Sequence, residues 1–200
     1  LQVLMETAEL DPTHLSEEHI GFVIAPRLNA AGRLADATPC VELLTLGEGG
    51  PRTTDRLRQD LTRARIIAAD LQTLNARRKL ECDAVERAAE AQIQRDPALL
   101  DAPALVLESP HWPPGVIGIV ASRLVEAYGK PTILIATPAG GLGRASARSV
   151  EGLHITEAIA TQAHLLAGYG GHPMAAGFTI EPGHIAEFRR GFLRAVEARR

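Results

Sequence analysis

The sequence predicts an α/β fold in two parts joined by one long helix. Three features predict it. Residues 103–200 alternate short apolar runs of strand length with helix-length amphipathic runs, the pattern of an α/β domain. Residues 53–95 contain neither Pro nor Gly, and their apolar residues recur every three or four positions, which is the helical period. Residues 1–50 combine short helical and strand-like runs with no long periodic segment.

Composition narrows the class. Of 200 residues, 46% are apolar and 22% charged, as in ordinary globular chains. Aromatics make up only 4%, so the core is built from Leu, Ile, Val and Ala, and a site resting on many stacked bases is disfavoured. Net charge is −3, which excludes a globally basic nucleic-acid binder. The charge is uneven: 12 Lys and Arg against 16 Asp and Glu in residues 1–100, then 9 against 8 in residues 101–200. A local basic cleft in the second half is compatible with this. Cys40 and Cys82 stand far apart with no C-x-x-C spacing, as buried free thiols of a cytoplasmic protein would. No apolar run approaches the roughly 20 residues that span a bilayer, and no signal peptide is visible. The chain opens mid-pattern at Leu1 without an initiator Met, so a fragment of a longer protein is expected.

In order, residues 1–9 read as a short helix and Asp11-Pro12-Thr13 as a turn. Phe22 to Ala25 reads as a strand stopped by Pro26, which has no N–H for a ladder. Arg27, Asn29 and Arg33 then sit among small residues on a glycine-containing loop. They are either donors for an anion or two solvated arginines beside an amide. A short helix follows from Asp36 to Leu46, then a Gly/Pro loop from Glu48 to Arg52. Thr53 or Thr54 caps the long helix. Its apolar first half (Leu57, Leu61, Ala64, Ile67, Ala68, Leu71, Leu74, Ala76) is expected to pack on the N-terminal part. Its charged second half is expected to cross solvent. A coiled coil or a broken pair of helices is the alternative.

Beyond Asp96-Pro97, strands are expected at 104–107, 132–136, 144–149 and 177–180. Helices are expected at 116–128, from about 154 to 167, and at 184–200. The stretch from Gly140 to Ile180 organises this half. Along an extended Arg144–Ser149, Arg144, Ser146 and Arg148 share one face, and Ala145, Ala147 and Ser149 the other. Two guanidiniums flanking a hydroxyl suit a phosphate or carboxylate. A charged edge strand that resists aggregation would look the same. Gly168, Gly170 and Gly171 precede His172. Glycines allow the positive φ of an anion-binding backbone nest, although a tight turn with a chance histidine is the plainer alternative. No Asp/His cluster has metal-ligand spacing, and no Walker loop or G-x-S-x-G occurs.

With those residues in view, the chain resembles the RecJ family of the DHH phosphoesterase superfamily. The matching motifs are P-R-L-N-A-A-G-R-L (26–34), L-N-x-x-R (74–78), G-V-I-G-I-V-A-S-R-L (115–124), A-S-A-R-S-V-E-G-L-H (145–154) and G-G-H-P-M-A-A-G (170–177). They run in family order and cover nearly the whole chain. The resemblance implies a remnant of a truncated α/β metal-binding DHH domain over 1–50. It implies a long connector helix over 51–100 and a mixed-sheet α/β substrate-binding domain over 101–200. It further implies metal-dependent 5′→3′ hydrolysis of single-stranded DNA in repair and recombination. Mn2+ or Mg2+ would be held in the full-length enzyme by motifs earlier than Leu1, and none by this fragment alone.

By the same resemblance, Arg27, Asn29, Arg33, Ser146, Arg148, Gly170, Gly171 and His172 hold DNA, and His172 also has a catalytic part. The partner is single-stranded DNA, with no membrane; the protein is monomeric and cytoplasmic, and other repair proteins would act through further domains. The family pattern is broken twice: Trp112-Pro113-Pro114-Gly115 replaces a common Trp-His-x-Gly, and Pro173 replaces a small residue. Two other readings are an oligonucleotide or cyclic-dinucleotide phosphodiesterase of the same superfamily, and a nucleic-acid-binding module without catalysis.

Overall fold

The structure is a computed structural model that describes residues 1–47 and 53–199. The expected loop at Glu48–Arg52 and the last residue, Arg200, lie outside the described residues. The chain divides into two compact units, Leu1–Leu80 and Glu81–Arg200, and the division falls within one helix.

The first unit is helical throughout its described elements. It contains α1 (Gln2–Thr7), a π-helical turn (His19–Ile24), α2 (Ala25–Leu34), α3 (Thr38–Thr45) and the start of α4 (Thr54–Arg95). The strand expected at Phe22–Ala25 is not found. Pro26 takes the second position of α2 instead. It sits where the π-helical turn passes directly into α2, with Ile24 and Ala25 both in the right-handed helical region, and its fixed φ suits the helix. Phe22 is 82% exposed, unlike a core strand residue. The loop expected around Arg27–Arg33 is therefore helical. Leu4, Ile24, Ala31, Leu43, Ile67, Ala68 and Leu71 form the core of this unit.

Helix α4 is a single 42-residue helix, about 60 Å long at 1.5 Å per residue. Thr53 Oγ1 accepts a hydrogen bond from the Arg56 N–H at 3.3 Å and caps it. Two expectations for α4 need correction. Leu57 and Leu61 are 44% and 49% exposed, because the core of the first unit reaches only to Ala64. The second half does not simply cross solvent: Cys82, Val85, Ala89 and Ile93 are buried. Their spacing of three, four and four residues is a narrow apolar stripe, easily overlooked among the surrounding charges.

The second unit holds a five-stranded mixed sheet in the order β1-β2-β3-β5-β4. Its strands are β1 (Leu105–Ser109), β2 (Thr132–Ala136), β3 (Gly143–Arg148), β4 (Leu166–Gly171) and β5 (Ala175–Ile180). β1 and β2 run parallel and the other neighbours antiparallel. The parallel pair is connected through α6 (Ile117–Tyr128), which follows the short α5 (Ala98–Asp101). Gly129 ends α6 at φ 61°, a left-handed cap that glycine adopts without strain.

Helices α7 (Ile155–Ala160) and α8 (Ile185–Glu197) cover one face of the sheet. There Ile133, Ile135, Ala145, Ala147, Ala176, Phe178 and Ile180 meet Ile155, Ile159, Phe188 and Phe192. Phe188 stands between Phe178 (centroids 4.6 Å apart) and Phe192 (5.8 Å). The helix expected from residue 154 to 167 is shorter. His154 Nδ1 accepts from the Glu157 N–H at its start, but α7 stops at Ala160. The chain then enters β4, which sequence reading takes for a glycine loop. β4 is half glycine, and only its pairing with β5 holds it extended.

Phe188→Ala should therefore cost about 3–5 kcal/mol of unfolding free energy, the usual loss for a buried Phe. A urea titration of the protein checks it; an unchanged midpoint would mean that the aromatic trio is not central to this core.

Candidate functional site

The face of the sheet opposite α7 and α8 is covered unevenly. Cross-strand partners share a face, so the register defines rows across it. One row runs Leu134, Ser146, Gly177, Gly170. A second runs Thr132, Arg148, Ala175, and a third Ala136, Arg144, Thr179, Gly168. Helix α6 packs on β2 and β3. Burial falls along the first row accordingly: Leu134 is fully buried, Ser146 and Gly177 are half-buried, and Gly170 is exposed. The uncovered part is a shelf of Gly168, Gly170, Ala175, Gly177 and Thr179, bordered by Arg144, Ser146 and Arg148.

The alternation expected along β3 is realised. Ala145 and Ala147 point into the core, and both are small enough for it to close over them. Arg144 is exposed, while Ser146 and Arg148 are half-buried beside the start of α6. The Arg148 Nη1 donates to the Ala147 carbonyl at 2.8 Å. At the end of the strand, the Ser149 hydroxyl donates to the Leu153 carbonyl at 2.7 Å, and the residue is buried.

The expected glycine nest takes a different form. Gly168 to Gly171 are extended in edge strand β4, and only Gly171 has positive φ, at 153°. A nest needs successive N–H groups turned to one point, and a paired strand alternates them. The two glycines of the pair have different reasons to be glycine. A Cβ on Gly171 would sit 2.4 Å from the Ala175 carbonyl oxygen and 2.5 Å from the Ala176 Cα. A Cβ on Gly170 would meet nothing within 4 Å. A mid-strand glycine without a packing reason marks a place where something else approaches the backbone.

His172 is exposed on the tight loop between β4 and β5. Its N–H donates to the Ala175 carbonyl at 2.8 Å, and its carbonyl accepts from the Thr156 hydroxyl at 2.7 Å. The Ile155 and Ser149 N–H groups donate to the carbonyls of Pro173 (2.9 Å) and Met174 (3.0 Å). The loop is thus fastened to the end of β3 and the start of α7, and His172 is presented from a fixed backbone. Sequence reading overlooks Thr156 because a Thr in a first helical turn signals only a cap.

In the first unit, Arg27 is half-buried, and burial lowers its pKa from the usual arginine value. Its Nε donates to Gln72 Oε1 at 2.8 Å and its Nη1 to the Val23 carbonyl at 2.7 Å, so it ties α2 to α4. Asn29 and Arg33 are exposed and lie four residues apart on α2, hence on one face. Among the described residues, no three His, Cys, Asp or Glu side chains come together as a metal site. No described helix is long and apolar enough to cross a membrane.

Gly170→Ala should leave the unfolding midpoint unchanged or raise it, by up to about 1 kcal/mol, the usual gain on replacing a strand glycine. Gly171→Ala should lower it by at least about 1–3 kcal/mol through backbone strain. Equal destabilisation of the two variants in a thermal melt would contradict this assignment.

Comparison with known proteins adds to this geometry. Residues 101–198 match the DHHA1 domain family. The chain is 35% identical over 205 residues to the single-stranded-DNA-specific exonuclease RecJ of Dickeya dadantii, covering 98% of this chain and 33% of that protein. It is 35% identical over 191 residues to the protein of the same name from Bacillus subtilis, covering 94% and 22%. The crystal structure of Thermus thermophilus RecJ in complex with Mn2+ is similar with a TM-score of 0.80 and 32% identity, over 98% of this chain and 26% of that one. A crystal structure of exonuclease RecJ bound to manganese gives 0.78 and 32%, over 98% and 44%. The chain spans about a third or less of these two curated relatives.

Proposed function

We propose, for a chain that belongs to the RecJ family and carries its DHHA1 domain at residues 101–198, that it is the substrate-holding portion of a metal-dependent 5′→3′ single-stranded-DNA exonuclease. In this reading residues 1–50 close the DHH metal-binding domain, 51–100 are the connector helix, and 101–200 hold the DNA. The protein acts in the cytoplasm, as a monomer, in DNA repair and recombination.

The observation that carries the reading is the shelf beside β3. Arg144 and Arg148 supply cationic donors for phosphate oxygens, and Ser146 adds a hydroxyl between them. The floor of Gly170, Gly177 and Ala175 lets a backbone lie close to the sheet. Such an arrangement reads charge and shape rather than base identity, which suits an exonuclease that removes any nucleotide in turn. His172, whose carbonyl accepts from Thr156 and whose N–H donates to the Ala175 carbonyl, flanks the shelf where it can contact a phosphate or a terminal nucleotide. Asn29 and Arg33 offer further donors from α2, whereas Arg27 acts chiefly by holding α2 on α4.

Mn2+ or Mg2+ belongs in this reading to the full-length enzyme. In this reading this chain's part in the reaction is to grip and present the strand.

Two measurements test the reading. Arg148→Ala in the full-length protein should weaken binding of a 5′-labelled single-stranded oligonucleotide. It should also flatten the log K against log salt slope by roughly 0.7–1, one phosphate contact. An unchanged slope removes Arg148 from the site. His172→Ala should cut turnover at least about tenfold, as for a group that helps stabilise or orient the reacting phosphate, with the melting temperature preserved. A lowered melting temperature with normal turnover would make the histidine a purely structural loop residue.

A further inference from the structure

Helix α6 has a glycine one residue into its first turn, where alanine would favour helix by up to about 1 kcal/mol more. Its φ is not positive, so backbone conformation does not demand glycine there. Its surroundings do. A Cβ on Gly118 would lie 2.8 Å from Arg148 Nη2, 3.3 Å from Ser146 Oγ and 3.5 Å from Arg148 Cζ. Two of the three atoms belong to the guanidinium of Arg148, and the third is the Ser146 hydroxyl oxygen. Residue 118 therefore faces the two β3 side chains that border the shelf.

The helix has little freedom to retreat. Ile117, Val120, Ala121 and Leu124 are all buried on its inner side. On its flank Arg123 Nη1 donates to Glu86 Oε2 at 2.6 Å and to Asp83 Oδ1 at 3.1 Å, both on α4. The hydrogen bonds to these carboxylates, that to Glu86 first, push the Arg123 guanidinium pKa above the usual arginine value. A side chain added at position 118 would instead move the obstacle that moves most easily, the far end of Arg148.

We infer that Gly118 is a positioning residue for the DNA grip: its missing Cβ makes the space in which the Arg148 guanidinium lies against α6 beside the Ser146 hydroxyl. The inference rests on the reading of the shelf as the DNA site and adds a residue that touches no DNA. A flexible arginine pushed out of this space keeps its charge but loses its fixed direction, and a planar donor fork is useful only when aimed. Gly118 is thus needed for the orientation of the grip more than for the fold.

The test is a double-mutant cycle in the full-length protein, with Gly118→Ala, Arg148→Ala and both together. The probe is a 5′-labelled single-stranded oligonucleotide followed by fluorescence anisotropy across a salt series, with melting temperatures alongside. Gly118→Ala should melt within about 2–4 °C of the parent. It should bind about tenfold more weakly, as expected for one misdirected charge-assisted contact. The double variant should bind no worse than Arg148→Ala. Parent-like binding by Gly118→Ala while Arg148→Ala is impaired overturns the inference and leaves the DNA site standing. Parent-like binding by Arg148→Ala overturns the DNA-site reading itself, and the inference with it. Unfolding of Gly118→Ala that is rescued in the double variant supports the inference, because the guanidinium is then the obstacle. Unfolding that persists there overturns it, since the glycine then serves helix-on-sheet packing.

Discussion

The second unit depends on how closely strand β3 can be approached from both sides. Its side chains alternate small and functional: Ala145 and Ala147 toward the core, Arg144, Ser146 and Arg148 away from it. The alanines let the aromatic and aliphatic side chains of α7, α8 and β5 close over the strand, with Phe178 and Phe188 in contact behind it. Gly118 lets α6 close over the other side without displacing Arg148. A larger residue at 145 or 147 would lift the helical layer, and one at 118 would evict the guanidinium. The same strand thus carries the core on one face and the charge on the other, and both are fixed by the size of its neighbours.

The hairpin of β4 and β5 extends that constraint to the open half of the sheet. Gly171 is fixed by backbone crowding against Ala175 and Ala176, whereas a Cβ at Gly170 would meet open space. The loop between the strands is fastened through carbonyls, those of His172, Pro173 and Met174, to Thr156, Ile155 and Ser149. The fastening uses main-chain atoms of the loop and leaves the histidine side chain outside it. A residue presented in this way is held in place without being consumed by the holding, which is what a site needs and a structural turn does not.

Much of this architecture was legible in the residues. The face-sharing of Arg144, Ser146 and Arg148 follows from period two alone, and α6 ends where Gly129 and Pro131 stop it. What was not legible has physical causes. Phe22–Ala25 has strand composition, but Pro26 is equally at home in a first helical turn, and local sequence does not choose between them. β4 is hidden because three of its six residues are glycine, so its extended form comes from pairing with β5 and not from propensity. The buried stripe of Cys82, Val85, Ala89 and Ile93 is one residue per turn among charges. The part played by Gly118 depends on a side chain thirty positions away, although a helical glycine with no turn to make was a signal that something passes close by.

Amide hydrogen exchange of the full-length protein, with and without a single-stranded oligonucleotide, reads out whether the shelf beside β3 holds the DNA. Within the second unit, slowed exchange is expected only over the shelf and its border, in peptides covering 143–149 and 166–177. Peptides from β1 and α8 should be unaffected, and a matched blunt duplex should give much weaker protection. Protection that spares 143–149 and 166–177 while appearing on β1 or α8 would contradict it, because the strand would then be held by a different surface of the domain.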